Sequence, residues 1–358
     1  TDAAKAAGCK DIAQQLLSTS RYGRGPLVAL GGGRAQFTTV EETDPEYDDK
    51  VGLRLDGRSL VNEWKQAHPQ GAYVWNAEQL KAAANAPALL GLFEPDHMRY
   101  EIERKDDPSG EPSLADLTRA AIANLSRHSE GYVLMVEGAR IDHANHSGNA
   151  YRALSDTVAM SDAVRAAVEA TSDQDTLIIV TADHSHTLNF VGYPARGNPI
   201  LGKVKDKGGE DGAGALDLAR DGTGLPYTTL SYANGPGFTG QTNQQPAGPK
   251  TYPHGPNSFD PVKGRPDLTH VDTEHPDYMQ EALVPMKSES HGGEDVGIWA
   301  RGPGSQAIRG TLEQNTIYHM IVQATPRLRQ RLCDAGTCDA QGVPVELPNG
   351  KAFERKAD

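Results

Sequence analysis

Thr176-Leu177-Ile178-Ile179-Val180 runs straight into Thr181-Ala182-Asp183-His184-Ser185-His186. A short aliphatic and β-branched run closed by an acidic–imidazole pair reads as a buried strand that presents polar groups at its carboxyl end. Comparable runs are Pro26–Leu30 before Gly31-Gly32-Gly33, Tyr132–Val136 before Glu137, and Val296–Ala300. An amphipathic helix lies between the runs at Tyr132 and Thr176. Its Tyr151, Leu154, Val158, Val164 and Val168 recur in steps of three and four, with Asp156, Asp162 and Arg165 elsewhere on its surface. Helical patterns also cover Asp11–Leu17, Leu114–Ser126 and Thr311–Thr325. Strand–helix–strand alternation of this kind predicts an α/β fold with a central, mostly parallel sheet flanked by helices.

From about Tyr193 to Ser290 the pattern changes: Gly, Pro, Asn, Asp and Lys dominate and apolar periodicity fades. A stretch of this length is too long for one structureless loop inside a compact domain, so it reads as an insertion packed on the main body or on another subunit. The expected organisation is a core over 1–192, an insertion over 193–290, and a return to the core over 291–358 that ends in a helix and tail. No internal repeat is evident.

The chain has 358 residues, 37% of them hydrophobic, enough for a sizeable core. Its net charge of −13 argues against nucleic acid or an anionic membrane as partner. An anionic substrate would require bound cations to reverse the local field. No stretch approaches the roughly 20 apolar residues that span a bilayer. The polar end, Lys351 to Asp358, shows no lipid-anchor tail. No leader is visible at Thr1, which suits a processed chain or a fragment. Cys333 and Cys338 bracket a short loop and suit a small disulfide ring; three free thiols are the competing reading. Disulfides would place the protein in the periplasm or outside the cell.

Three segments concentrate acidic and imidazole groups near predicted strand ends, the edge where doubly wound sheets bind ligands. They are Val136-Glu137-Gly138-Ala139-Arg140-Ile141-Asp142-His143-Ala144-Asn145-His146, then Thr181 to His186, then Ser290-His291-Gly292-Gly293-Glu294-Asp295. Asp142 and His146 are one helical turn apart and can face a single ion, with His291 as a third ligand from a distant loop. Adjacent Asp183 and His184 suit a second ion, and Glu137 offers a hard oxygen better matched to magnesium. Each piece alone also fits a helix-surface pair or a strand cap; the three together are harder to dismiss.

These three segments resemble the metal motifs of alkaline phosphatases. Leu30-Gly31-Gly32-Gly33-Arg34, Asp44-Pro45-Glu46-Tyr47, Gly91-Leu92-Phe93-Glu94-Pro95 and Ala150-Tyr151-Arg152-Ala153-Leu154 match as well. The resemblance covers nearly everything but the insertion. It implies one zinc on Asp142, His146 and His291, a second on Asp183 and His184, and magnesium at Glu137. His186 matches a position beside the second zinc that orients a ligand rather than binding metal, and His143 matches no ligand. Members of the animal type also carry calcium; Glu46, the Phe93 carbonyl and Glu94 fit that pattern, with Glu111 where an Asp is expected. Ordinary solvated acidic residues are the competing reading. The insertion matches the family's crown region, near the interface of a homodimer.

The family's nucleophile is a Ser in an Asp-Ser-Ala type motif, which occurs nowhere in these 358 residues. The Gly-Asp-Gly-Met type segment, the magnesium-holding Thr and the phosphate-clamping Arg are missing too. In the family all of these precede the segment that Cys9-Lys10-Asp11-Ile12-Ala13 resembles. The resemblance therefore implies a nucleophilic Ser and an Arg upstream of Thr1, on a segment joined through Cys9. The implied activity is metal-dependent hydrolysis of phosphate monoesters through a phosphoserine, with inorganic phosphate as product. The alternatives are a phosphodiesterase or sulfatase of the same superfamily, or an inactive metal-binding fragment.

Overall fold

A computed structural model describes residues 9–18, 25–207, 216–240, 245–253 and 265–339. The C-terminal tail beyond Asp339, including the polar end, lies outside the described residues. The first half opens with α1 (Ile12–Ser18), β1 (Val28–Gly31), α2 (Leu60–Ala67), β2 (Ala72–Val74), α3 (Ala77–Ala82) and β3 (Leu89–Leu92). These strands form a parallel sheet in the order β1-β3-β2, with Val28 and Ala72 both in register with Leu89. Every residue of β3 is buried, as a central strand covered on both faces requires. Leu90 and Leu92, two apart, join Phe37, Leu60, Val61 and Trp64 in one core cluster. Phe93, with the opposite parity, packs with Val74, Leu80 and Leu117 in the other.

The turn after β1 works because of Gly32. A Cβ there would collide with the Asp96 carbonyl. The turn delivers Arg34, whose side chain is fully buried. Its Nε and Nη2 each donate to Asp44 at 2.8 Å, Nη2 also to Glu46 at 2.8 Å, and Nη1 to the Leu92 carbonyl at 2.9 Å. A fork of this kind fixes two carboxylates against the sheet edge.

Helix α4 (Leu114–Leu125) starts at a capping box in which Ser113 and Asp116 satisfy each other's backbone N–H groups. Helix α5 (Ala139–His146) and the long α6 (Ala150–Ala170) follow. The predicted helix is present in α6, but its buried stripe differs from the expected one. Ala150, Arg152, Ala153, Asp156, Ala163 and Ala166 are buried, while Val158 is 61% exposed. Small side chains on the inner face let α6 lie close against α4 and α5. Asp156 leaves the surface because its carboxylate accepts the Glu101 N–H at 3.2 Å.

Beyond α6 the chain forms short ladders: β4 (Ile178–Val180), β5 (Ser185–His186), β6 (Leu188–Phe190), β7 (Lys205–Lys207), β8 (Leu216–Leu218), β9 (Leu230–Gly235), β10 (Lys250–Thr251), β11 (Tyr278–Met279), β12 (Ala282–Pro285), β13 (His291–Gly292) and β14 (Trp299–Arg301). Strand β9 pairs parallel with β12 and antiparallel with β6, tying residues of the expected insertion to the segment before it. Helices α7 (Thr316–Ala324) and α8 (Pro326–Asp334) close the described chain, and Cys333 is bonded to Cys338.

The molecule is thus a mixed α/β fold with a parallel sheet. Two local expectations need correction. Tyr132–Val136 forms no regular element and has no ladder partner among the described residues, and Val133 and Met135 are 65% and 87% exposed. The run at Val296–Ala300 yields β14, which pairs antiparallel with β4, Trp299 opposite Val180, rather than extending a parallel sheet. No helix among the described residues is long and apolar enough to cross a membrane.

Candidate metal centre

Helix α5 places Asp142 and His146 on one face, and the β5–β13 ladder brings the other two segments to it. In that antiparallel pair His291 stands opposite His186 and Gly292 opposite Ser185. Gly292 keeps this approach close: a Cβ there would crowd the His186 carbonyl, at 2.9 Å, and displace the Ser185 hydroxyl and the Glu294 carboxylate. Residues some 150 positions apart therefore share one pocket of donors.

Asp142 Oδ1 is the hub. His186 Nε2 lies 3.0 Å from it, His146 Nε2 3.4 Å, His291 Nε2 3.6 Å and His184 Nε2 3.9 Å. The Nε2 atoms of His146 and His291 face each other at 3.2 Å. The rings of His184 and His291 stack, centroids 3.5 Å apart and 15° from parallel. Two imidazole nitrogens aimed at each other and at a carboxylate form a donor set that a cation satisfies better than protons do. Asp142, His146 and His291 meet the spacing of a shared ion, and so do Asp142, His184 and His186.

His186 spends both ring nitrogens on carboxylates: Nε2 on Asp142, and Nδ1 on Glu289 at 2.6 Å. Burial lowers the tendency of His186 to hold a proton, yet bonds to Glu289 and Asp142 together raise its pKa above the ordinary value. Burial likewise pushes Glu289 up, but His186 and the Thr187 N–H and hydroxyl outweigh it and hold that carboxyl below the usual range.

The remaining expected ligands are placed less tightly. Asp183 is 81% exposed and touches His184 Nε2 at 3.2 Å. Glu137 is exposed on the irregular stretch before α5 and joins none of the donor groups found among the described residues. His143 stays apart; its Nδ1 meets Arg140 Nη1 at 3.0 Å, and burial, then His97, lower its pKa.

A second acidic group sits beside the parallel sheet. Glu46, Glu94 and Asp107 come together, and burial raises the carboxyls of Glu46 and Glu94. Glu46 Oε1 and Asp107 Oδ1 are buried without a hydrogen bond. Arg99 Nε lies 3.0 Å from Glu94 and 3.3 Å from Asp107, and Arg34 Nη2 lies 2.8 Å from Glu46. Glu111, the expected fourth member, is outside the group. It accepts the Arg99 N–H at 3.0 Å, and burial pushes its pKa up to about 8.

Sequence reading missed Glu289 and Asp107. Glu289 had a usable signal, since it lies two residues before His291 and alternate residues of an extended segment share a face.

The family model for alkaline phosphatase matches residues 1–326. The chain belongs to the alkaline phosphatase family. The tissue-nonspecific alkaline phosphatase of Felis catus is 38% identical over 325 residues, which cover 88% of this chain and 55% of that protein. The corresponding isozyme of Gallus gallus is also 38% identical over 325 residues, covering 88% of this chain and 56% of its own length. This member of the family thus spans about half the length of the curated relatives it matches. The crystal structure of Thermus thermophilus alkaline phosphatase is 35% identical across 51% of this chain and 35% of that one, at a TM-score of 0.43.

Proposed function

We propose that this chain contributes the metal centre of an alkaline phosphatase that hydrolyses phosphate monoesters through a serine lying outside these 358 residues. The observation that carries the reading is the convergence of four imidazole nitrogens on Asp142 Oδ1, all within 3.9 Å, from three separate chain segments. One zinc is assigned to Asp142, His146 and His291, and a second to Asp183 and His184. Glu137 is assigned to magnesium, as the exposed hard donor next to α5. Bound zinc supplies positive charge and Lewis acidity against a phosphoryl group. That charge lets a chain at −13 attract a phosphate dianion.

The chain's own contribution is orientation. His146 Nδ1 donates to the Glu289 carbonyl at 2.5 Å, which leaves the Nε2 lone pair facing Asp142 and His291. Calcium is assigned to Glu46, Glu94 and the Phe93 carbonyl. Asp107 serves as the further carboxylate in place of Glu111, because its side chain and those of Glu46 and Glu94 approach closely enough to share one ion. Residues 193–290 are assigned to a crown that shapes access to the site in a homodimer, and the Cys333–Cys338 bond suits a periplasmic or extracellular location.

The test is hydrolysis of a phosphate monoester, a phosphate diester and a sulfate ester by the full-length protein, with His291→Ala alongside. Monoester preference and a large loss of activity in the variant are expected. Faster turnover of the diester or the sulfate would overturn the monoesterase reading.

A further inference from the structure

We infer that Glu289 is the positioning residue of the metal centre, holding two of its imidazoles at once through its side chain and its main chain. The inference rests on the metal reading above and deepens it. Glu289 is fully buried at its side chain, an unusual place for a carboxylate unless it is paired. Every polar group it has is committed to the centre or the strand beside it. Oε2 accepts from His186 Nδ1 at 2.6 Å, and Oε1 accepts the Thr187 N–H at 2.5 Å and the Thr187 hydroxyl at 2.7 Å. Its backbone carbonyl accepts His146 Nδ1–H at 2.5 Å, and its N–H donates to the His146 carbonyl at 2.9 Å.

The consequences follow from imidazole chemistry. A ring that donates Nδ1–H to an acceptor turns its Nε2 the other way, in a fixed plane. Glu289 therefore aims His146 Nε2 and His186 Nε2 from behind, and both point at Asp142 Oδ1. The backbone pair with His146 also pins the end of α5 to the segment that carries His291, two residues on. The side chain of Glu289 thus governs His186 and Asp142, and its main chain governs His146, whose Nδ1 lies 2.5 Å from the carbonyl oxygen and 3.8 Å from Oε2.

This division makes the inference testable, because a side-chain substitution should remove the hydrogen bond of His186 and leave that of His146 in place. In Glu289→Gln the amide is nearly isosteric. Its oxygen can keep the Thr187 bonds, so its NH2 faces His186 Nδ1 and turns that nitrogen from donor to acceptor. Zinc affinity of the full-length protein, measured by competition with a chromophoric chelator, is the first readout. A loss of 10–100-fold in Glu289→Gln and Glu289→Ala is expected, the range typical of partners that orient a metal-binding group. The second readout is the 15N spectrum of histidine-labelled, metal-free protein. The His186 Nδ1 resonance should move from protonated to unprotonated in Glu289→Gln, while His146 Nδ1 stays protonated because the backbone carbonyl remains. Thermal unfolding of the metal-free proteins verifies that Glu289→Gln folds. Zinc affinity within twofold of wild type, or an unmoved His186 resonance in the folded variant, would overturn the inference. A wild-type protein that takes up no zinc would instead overturn the metal reading itself, and this inference with it.

Discussion

Asp142 shows how one side chain can organise a centre: it lies at 3.0–3.4 Å from two imidazoles and within 3.9 Å of two more. Part of this was legible from sequence because Asp142 and His146 lie one turn apart, a local relation that needs no knowledge of the fold. The place of Glu289 two residues before His291 was a signal, but its hold on His186 was not legible, because it depends on a strand pairing across about 100 residues. Asp156 makes a separate point about single residues. Burial raises its carboxyl from the usual range to about 6. A carboxyl with a raised pKa in the folded state gives stability that is complete below its unfolded value near 3.8 and is lost as pH rises through about 6. Asp156→Asn keeps an oxygen for the Glu101 N–H and removes the charge. Urea unfolding should show the variant more stable than wild type at pH 8 by about 1–2 kcal/mol, the advantage shrinking towards pH 4. An advantage that does not change with pH would contradict this account of Asp156.

At the scale of elements, caps and small-residue faces decide how the site is supported. Asn149 is fully buried at the start of α6, where its oxygen accepts the Arg152 N–H at 2.8 Å. Its amide donates to the carbonyls of Pro276 at 2.8 Å and Tyr278 at 3.3 Å, joining the helix to the insertion. Asn149→Ala should lower unfolding free energy by about 2–4 kcal/mol, as a lost cap plus buried acceptors left short of a partner. Ser113→Ala, an exposed cap of α4, should lower it by only about 1 kcal/mol. Similar losses in chemical denaturation would mean that Asn149 acts as a cap alone. The helices α1, α4, α6 and α7 were readable because their apolar residues recur within the element. Strands β2 and β3 were not read as strands. Leu89–Leu92 is short and contains Gly91, and it becomes a strand through burial between β1 and β2. Tyr132–Val136 has the composition of a strand, but composition does not supply a neighbour.

At the scale of the whole molecule, the puzzle is an acidic chain, at −13, in a family defined by phosphate chemistry. Two clusters of donors, one imidazole-rich and one acidic, offer cations the means to change that sign locally. The order of the motifs along the sequence was enough to identify the family. Their meeting in space needed the ladder between β5 and β13. The most direct measurement is monoester hydrolysis by the full-length protein during chelation and stepwise return of zinc, with metal content followed in the same samples. The account predicts loss of activity with the metal and recovery that saturates near two zinc equivalents per chain, further enhanced by magnesium. Activity that survives complete removal of zinc would contradict it.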